Sequence, residues 1–304
     1  MECNLLVGGQ AGQGLASIEN ELTDLLFRLD YHFFATKFYM SRIRGGHNEH
    51  LFRVAEEPVH ALSGEPWDVV VGLDEETERL HRADLSAHGI CISIDGIREI
   101  EKAAKEHFRN VKMSNNILVG LLLNVLGVTS ENLGALVKEE EKMAPLVAGM
   151  DFAERWKMAG RFALMPRAVN TLKFDGNSAL GFGALLGGCQ FVAGYPMTPA
   201  TSLQMYLTRA ALEMPVHFEQ AEDEISALNT ALGASYAGLR SMVATSGGGF
   251  ALMTEAVSLA GMTETPVVVV VAQRPGPSTG LPTRTEQGDL NFILHAGHGE
   301  FPRL

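Results

Sequence analysis

Gln190-Phe-Val-Ala-Gly-Tyr-Pro-Met-Thr-Pro199 decides the reading of the fold. A short apolar run stops abruptly in two prolines that flank a threonine hydroxyl. A second run, residues 266–272, ends in the same way, in Gln273-Arg-Pro-Gly-Pro-Ser-Thr-Gly280. In an open α/β sheet, apolar strands end where ligands bind, beyond their carboxyl ends. Between the two runs, Glu219-Gln-Ala-Glu-Asp-Glu224 opens an apolar helical pattern. Carboxylates therefore stand at a helix start between two stiff loops.

Working outward, the second half alternates: strand 190–195, helix 202–213, strand 216–218, helix 225–238, strand 241–244, helix 250–259 and the fully apolar strand 266–272. The first half opens with a strand over 4–7, the loop Gly8–Gly14 and a helix over 15–29 that carries Ile18, Leu22, Leu25, Leu26 and Leu29 at helical spacing. Strands follow at 31–34, 51–54, 68–72 and 89–94, and residues 115–167 are mostly helical. This alternation predicts an α/β chain with parallel pairing through βαβ units. Pro166 and the polar stretch after it place the boundary between domains 1–166 and 167–304. The chain stops soon after a loop, at residues 298–304. The second domain is therefore expected to be incomplete at its C-terminus, as part of a longer protein or a split subunit.

Composition narrows the function. A formal net charge of −12 over 304 residues argues against nucleic acid and anionic membranes as partners. No apolar run approaches a membrane span, and the N-terminus runs straight into a glycine loop rather than a signal peptide, so a soluble cytoplasmic protein is expected. Cys3, Cys91 and Cys189 are widely spaced with no C-x-x-C pair, which leaves no disulfide framework and no metal site by thiolates of this chain. Ser246 has no His/Asp pair at triad-like positions, so hydrolase chemistry is set aside.

Gly12-Gln-Gly14-Leu-Ala-Ser17 nearly matches a dinucleotide fingerprint, but the acidic residue expected after the second strand is missing. Gly9 and Gly14 have P-loop spacing, with Leu15 where lysine is required. Gly9, Gly12 and Gly14 are candidate anion contacts, together with Arg42 and Arg44 of Arg42-Ile-Arg-Gly-Gly-His47. Plain tight-turn geometry and a hairpin with solvated arginines are the alternatives.

Five motifs in fixed order carry a resemblance: Tyr195–Pro199, Gln220-Ala-Glu-Asp-Glu224, Ala244-Thr-Ser-Gly-Gly-Gly249, Gln273–Thr283 and Gly297–Arg303. Together they resemble the α subunit of 2-oxoacid:ferredoxin oxidoreductases, and the first half, with Gly8–Gly14 and Arg44-Gly-Gly46, resembles the γ domain that is fused ahead of α in one common arrangement. Met197 and Gly248 depart from the usual Ile and Pro. The resemblance implies a Rossmann-like γ domain followed by a doubly wound pyrimidine-binding domain. It also implies thiamine-diphosphate-dependent oxidative decarboxylation of a 2-oxoacid to acyl-CoA and CO2, with electrons passed to ferredoxin.

Glu222, at the family's Gln-x-Glu position, is then the carboxylate for the pyrimidine ring, although helical geometry alone does not separate it from Glu224. Thr198 and Arg274 complete the catalytic set. Tyr195, Pro196, Thr198, Ser246 and Gly247 are expected around the cofactor. Thr198, Arg274, Ser278 and Thr279 are expected around the substrate, and Gly9, Gly12, Gly14, Arg42 and Arg44 near coenzyme A. The chain has neither a Gly-Asp-Gly…Asn element for diphosphate and Mg2+ nor a cysteine cluster, so the resemblance assigns Mg2+ and the iron–sulfur cluster to partner chains, a β subunit among them. A non-catalytic nucleotide-binding or assembly subunit of such a complex is the competing reading.

Overall fold

The computed structural model describes residues 1–39, 46–167, 170–282 and 286–303. The chain divides into two compact units, Met1–Leu172 and Lys173–Leu304. The division falls beyond Pro166, after the polar stretch that follows it.

The first unit contains β1 (Glu2–Gln10), α1 (Leu15–Arg28), β2 (His32–Tyr39), β3 (His47–Ala55), β4 (Trp67–Gly72), α2 (Glu75–His81), β5 (Leu85–Ile92), α3 (Ile94–Phe108), α4 (Ser114–Val125), α5 (Ser130–Leu136) and α6 (Glu140–Arg155). Its sheet has the order β2-β3-β1-β4-β5. β1, β4 and β5 pair in parallel, whereas β3 runs antiparallel to both β1 and β2. The expectation of parallel pairing throughout fails here for a simple reason. Parallel neighbours need a crossover of a dozen or more residues, and the link from β2 to β3 is too short to hold one. Both strands are also longer than their apolar centres suggest.

One face of α1 buries Ile18, Leu22, Leu25 and Leu26. By contrast α4 is buried almost all round, from Ile117 to Leu123, as expected of a helix without a polar face. It crosses α6 at two glycines. A methyl group on Gly120 would overlap the Leu146 carbonyl, and one on Gly149 would overlap the Ile117 carbonyl. The two backbones are in direct contact.

The second unit contains α7 (Gly176–Leu186), β6 (Phe191–Gly194), α8 (Thr201–Ala210), β7 (His217–Gln220), α9 (Glu224–Tyr236), β8 (Ser241–Thr245), α10 (Gly247–Thr263), β9 (Val268–Val271) and α11 (Leu290–His295). Its four strands are all parallel, in the order β7-β6-β8-β9. Leu203 and Leu207 of α8 pack on one face with Val192, Met242 and Ala244. Ala227 and Leu228 of α9 and Phe250 and Met253 of α10 pack on the other with Ala193 and Val243. The unit is therefore doubly wound. Strand order reverses between β6 and β8, which makes the crevice beyond their carboxyl ends a topological switch point. Within the fully apolar run 266–272, Val268 is 58% exposed, because β9 is an edge strand of this sheet.

Among the described residues no helix is long and apolar enough to cross a membrane. All three cysteines are free, and burial pushes each thiol above its usual range. For Cys3, the nearby Asp68 adds to the effect. Because the thiolate is the reactive form, Cys3 in the native chain at pH 7.5 should react with a disulfide reagent at least about 100-fold more slowly than in urea. Stopped-flow absorbance checks this; equal rates would contradict it.

Candidate functional site

The β6 and β8 ends hold the site in place through one amide. Gln204, buried in α8, donates from Nε2 to the Tyr195 carbonyl (3.0 Å) and to the Ala244 carbonyl (2.9 Å). It thereby joins the loop after β6 to the last turn of β8. No periodicity in the sequence marks this residue, since an interior glutamine in a helix reads as a surface position. On the other side of β6, the Ala221 N–H donates to the Gly194 carbonyl (3.1 Å) and fixes the approach to α9.

That approach separates the two candidate acids. Glu222 lies exposed in the bend before the helix, while Asp223 caps α9 by accepting from the Ser226 N–H (2.7 Å). Glu224, the first helical residue, is 3% exposed and its Oε1 has no hydrogen-bond partner. Glu222, expected at the pyrimidine ring, is thus the exposed acid of the pair and Glu224 the buried one. The cap sets the direction: Asp223 turns back to its own helix end, so Glu222 remains outside and Glu224 turns inward. A buried carboxylate oxygen without a partner is costly. In the first turn of α9, positive partial charge from the helix offsets part of that cost.

Glu224 faces the glycine turn after β8. The Cβ position at Gly249 lies 2.6 Å from Glu224 Cγ and 2.8 Å from its Oε1, and it would overlap the Thr245 hydroxyl. A methyl at Gly247 would overlap the Asp289 carboxylate, whose Oδ2 is likewise buried and unpartnered. The Cβ position at Gly248 is 3.1 Å from the Ser278 carbonyl. Ser246 is fully buried with an unpartnered hydroxyl and precedes α10 without capping it. Three orphaned polar atoms, on Glu224, Ser246 and Asp289, thus surround a turn that has no side chains of its own. Asp289 was not singled out in the sequence; Gln287-Gly-Asp-Leu290 reads as an ordinary polar loop.

Thr198 and Arg274 are brought together. Arg274, 8% exposed, donates from Nη1 to the Thr198 carbonyl at 2.7 Å, so the strand-end arginine ties down the Pro-Met-Thr-Pro loop. Thr198 is half-buried, while Tyr195, Pro196, Ser278 and Thr279 are exposed around it. Gly247 is buried in the first turn of α10.

In the first unit, the glycine loop is satisfied mainly by the chain itself. The Gln13 side chain accepts from the Gln10 N–H (2.6 Å) and donates to the Leu73 carbonyl (2.9 Å). Gly9 and Gly14 are close-packed against Leu73 and Asn115. Only Gly12, at φ 101° with open space around it, has room for a ligand. Arg42 and Arg44 lie outside the described residues.

Comparison with known proteins agrees with this division. A family model described as pyruvate flavodoxin/ferredoxin oxidoreductase, thiamine-diphosphate-binding, matches residues 182–303, and one described as pyruvate ferredoxin/flavodoxin oxidoreductase matches residues 4–148. A 2-oxoacid:ferredoxin oxidoreductase α subunit from Sulfolobus is 29% identical over all of this chain and 59% of its own length. A 2-oxoglutarate synthase subunit KorA from Methanocaldococcus jannaschii is 47% identical over 42% of this chain and 35% of its own. Among solved structures, 2-oxoglutarate:ferredoxin oxidoreductase from Magnetococcus marinus, with 2-oxoglutarate, coenzyme A and succinyl-CoA bound, superposes with a TM-score of 0.84 at 30% identity, over 99% of this chain and 57% of that one. The chain thus spans about three fifths of the length of the relatives it matches end to end.

Proposed function

Because this chain is a relative, along its whole length, of the 2-oxoacid:ferredoxin oxidoreductase α subunits, we propose that it supplies the pyrimidine-binding half of a thiamine-diphosphate site. That site serves oxidative decarboxylation of a 2-oxoacid to acyl-CoA. The observation that carries this reading is Glu224, a buried carboxylate with an unpartnered oxygen at the strand switch point, beside a turn of three glycines.

The residues fit the group. An aminopyrimidine ring is flat and carries a basic nitrogen; it needs a side-chain-free wall and a fixed carboxylate, which Gly247–Gly249 and Glu224 supply. When bound, thiamine diphosphate would supply a nucleophilic carbon for the 2-oxo group and a cationic thiazolium ring to take up the electron pair left by departing CO2. Glu224 holds a hydrogen bond at the ring nitrogen and biases where the ring carries its proton. Ser246 and Asp289 offer further polar contacts at the same wall. Thr198, steadied by Arg274, presents its hydroxyl to a substrate oxygen, and the positive charge of Arg274 favours a carboxylate nearby. The diphosphate, Mg2+ and iron–sulfur cluster belong to a partner β chain. Ferredoxin is the electron acceptor and coenzyme A the acyl acceptor, with the basic segment 42–44 of the first unit as its expected contact.

Reconstitution tests this reading. The chain is co-expressed with a β subunit of this enzyme family and given thiamine diphosphate, Mg2+, coenzyme A, a ferredoxin-type acceptor and a panel of 2-oxoacids. Acyl-CoA formation that requires this chain is the expected result. A fully assembled complex that turns over no 2-oxoacid would overturn it in favour of an assembly role.

A further inference from the structure

Two histidines and three carboxylates gather in the first unit. His47 and Glu49 sit two residues apart on β3 and so share one face of the strand; His81 ends α2. His47 Nε2 lies 3.1 Å and His81 Nε2 2.8 Å from the same oxygen, Oε1 of Glu49. The three potential ligand atoms lie within 4.8 Å of one another. Each ring turns its other nitrogen to a second acid: His47 Nδ1 is 3.5 Å from Asp74 Oδ2, and His81 Nδ1 is 3.8 Å from Asp84 Oδ2. The His47 side chain is 7% exposed, and its Nδ1, the His81 Nδ1 and Asp74 Oδ2 are buried without a hydrogen bond. Asp74 cannot swing away, because its Oδ1 accepts from the Thr77 N–H (2.9 Å) and hydroxyl (2.7 Å).

Proton accounting makes this arrangement unusual. A neutral imidazole donates from one nitrogen and accepts at the other. If both rings donate from Nε2 to Glu49, their Nδ1 lone pairs face carboxylates. If both donate from Nδ1 to Asp74 and Asp84, two Nε2 lone pairs face a carboxylate oxygen. Neutral histidines therefore leave a repulsion in either tautomer. A cation between the two Nε2 atoms and Glu49 removes it, frees each Nδ1–H to donate outward, and balances the surrounding acids. Histidine ligands whose second nitrogen points to a carboxylate are the usual outer arrangement of zinc sites.

We infer that His47, Glu49 and His81 bind a divalent transition cation of the zinc type, with Asp74 and Asp84 orienting the imidazoles. Nitrogen and carboxylate ligands around a tetrahedral zinc ion stand roughly 3.3 Å apart, so the two contacts to Glu49 need to open by only a few tenths of an ångström. Three protein ligands leave one coordination position for water. The ion ties β3 to α2 beside the end of β1, since Gln10 pairs with His47 and Gly8 with Glu49.

The test uses the full chain, stripped with chelator and titrated with ZnCl2 by calorimetry at pH 7.5, followed by zinc-edge absorption spectroscopy. One equivalent should bind with imidazole and oxygen ligands and raise the melting temperature. His81→Ala should weaken binding by at least about 100-fold and Asp84→Asn by roughly 10-fold, while the exposed control His60→Ala should match wild type. Glu49→Gln, which keeps the side-chain shape, covers the case in which the alanine variant unfolds. No saturable zinc binding by the folded wild type, sulfur ligation, or wild-type affinity in both Glu49→Gln and Asp84→Asn would overturn the proposal.

Discussion

Glu224→Gln should lower turnover of the reconstituted complex by roughly 10²–10⁴-fold, the range in which a positioned proton-handling group contributes, and leave the fold intact. Glutamine preserves length and shape beside Gly249, so the packing of α9 against α10 is undisturbed. It replaces a buried carboxyl group whose Oε1 has no partner. Stability should therefore hold or rise, because desolvating an unpaired carboxylate costs more than desolvating an amide. The combination of lost activity with an unchanged or higher melting temperature separates a functional acid from a structural one. Glu222→Gln, at the exposed position two residues earlier, should retain near-wild-type turnover. Steady-state kinetics with thermal melts of both variants decide the matter. Full activity in Glu224→Gln, or its loss in Glu222→Gln alone, would refute the assignment.

The second large effect concerns stability. Gly149→Ala places a methyl group onto the Ile117 carbonyl and within 2.6 Å of the Leu121 amide nitrogen. Both are backbone atoms inside a helix, so neither can rotate out of the way. α4 and α6 must separate, which loosens contacts around Ile117, Leu121 and Leu146, all fully or nearly fully buried. Overpacking of this kind costs about 3 kcal/mol, or roughly 6–12 °C in the transition of the first unit. Gly120→Ala should behave alike because it meets the Leu146 carbonyl. Gly134→Ala, in α5 with open space around its Cβ position, should be neutral or slightly stabilising. Calorimetric scans of the three variants check the ranking, and an unchanged transition in Gly149→Ala would show that the helices do not touch there.

The second unit was legible because its strands are apolar blocks that stop at Pro-Gly-hydroxyl loops, and its helices follow at short intervals. That pattern depends on local chain chemistry. The direction of β3 was not legible, since 31–34 and 51–54 are apolar whichever way they pair, and only the length of the link between the full strands excludes a crossover. Thr198 and Arg274, which meet in the structure, stand out in the sequence because unusual residues flank them. Which of Glu222 and Glu224 is buried depends on which acid of Glu-Asp-Glu caps the helix, and three acids in a row carry no preference. Asp289 and Gln204 do their work through contacts made across the fold, which no spacing in the chain announces. The histidine cluster was missed for the same reason, since His81 lies far along the chain from His47 and Glu49.

Gln204 gives the cleft a property beyond its shape. One side-chain nitrogen is shared between the carbonyls of Tyr195 and Ala244, so the two rims cannot drift apart without breaking at least one of these contacts. Their mutual spacing is settled when the polypeptide folds, and an arriving heterocycle loses less freedom on docking than it would between independent loops. Tightness of binding at this crevice is thus partly set by a glutamine that never touches the guest.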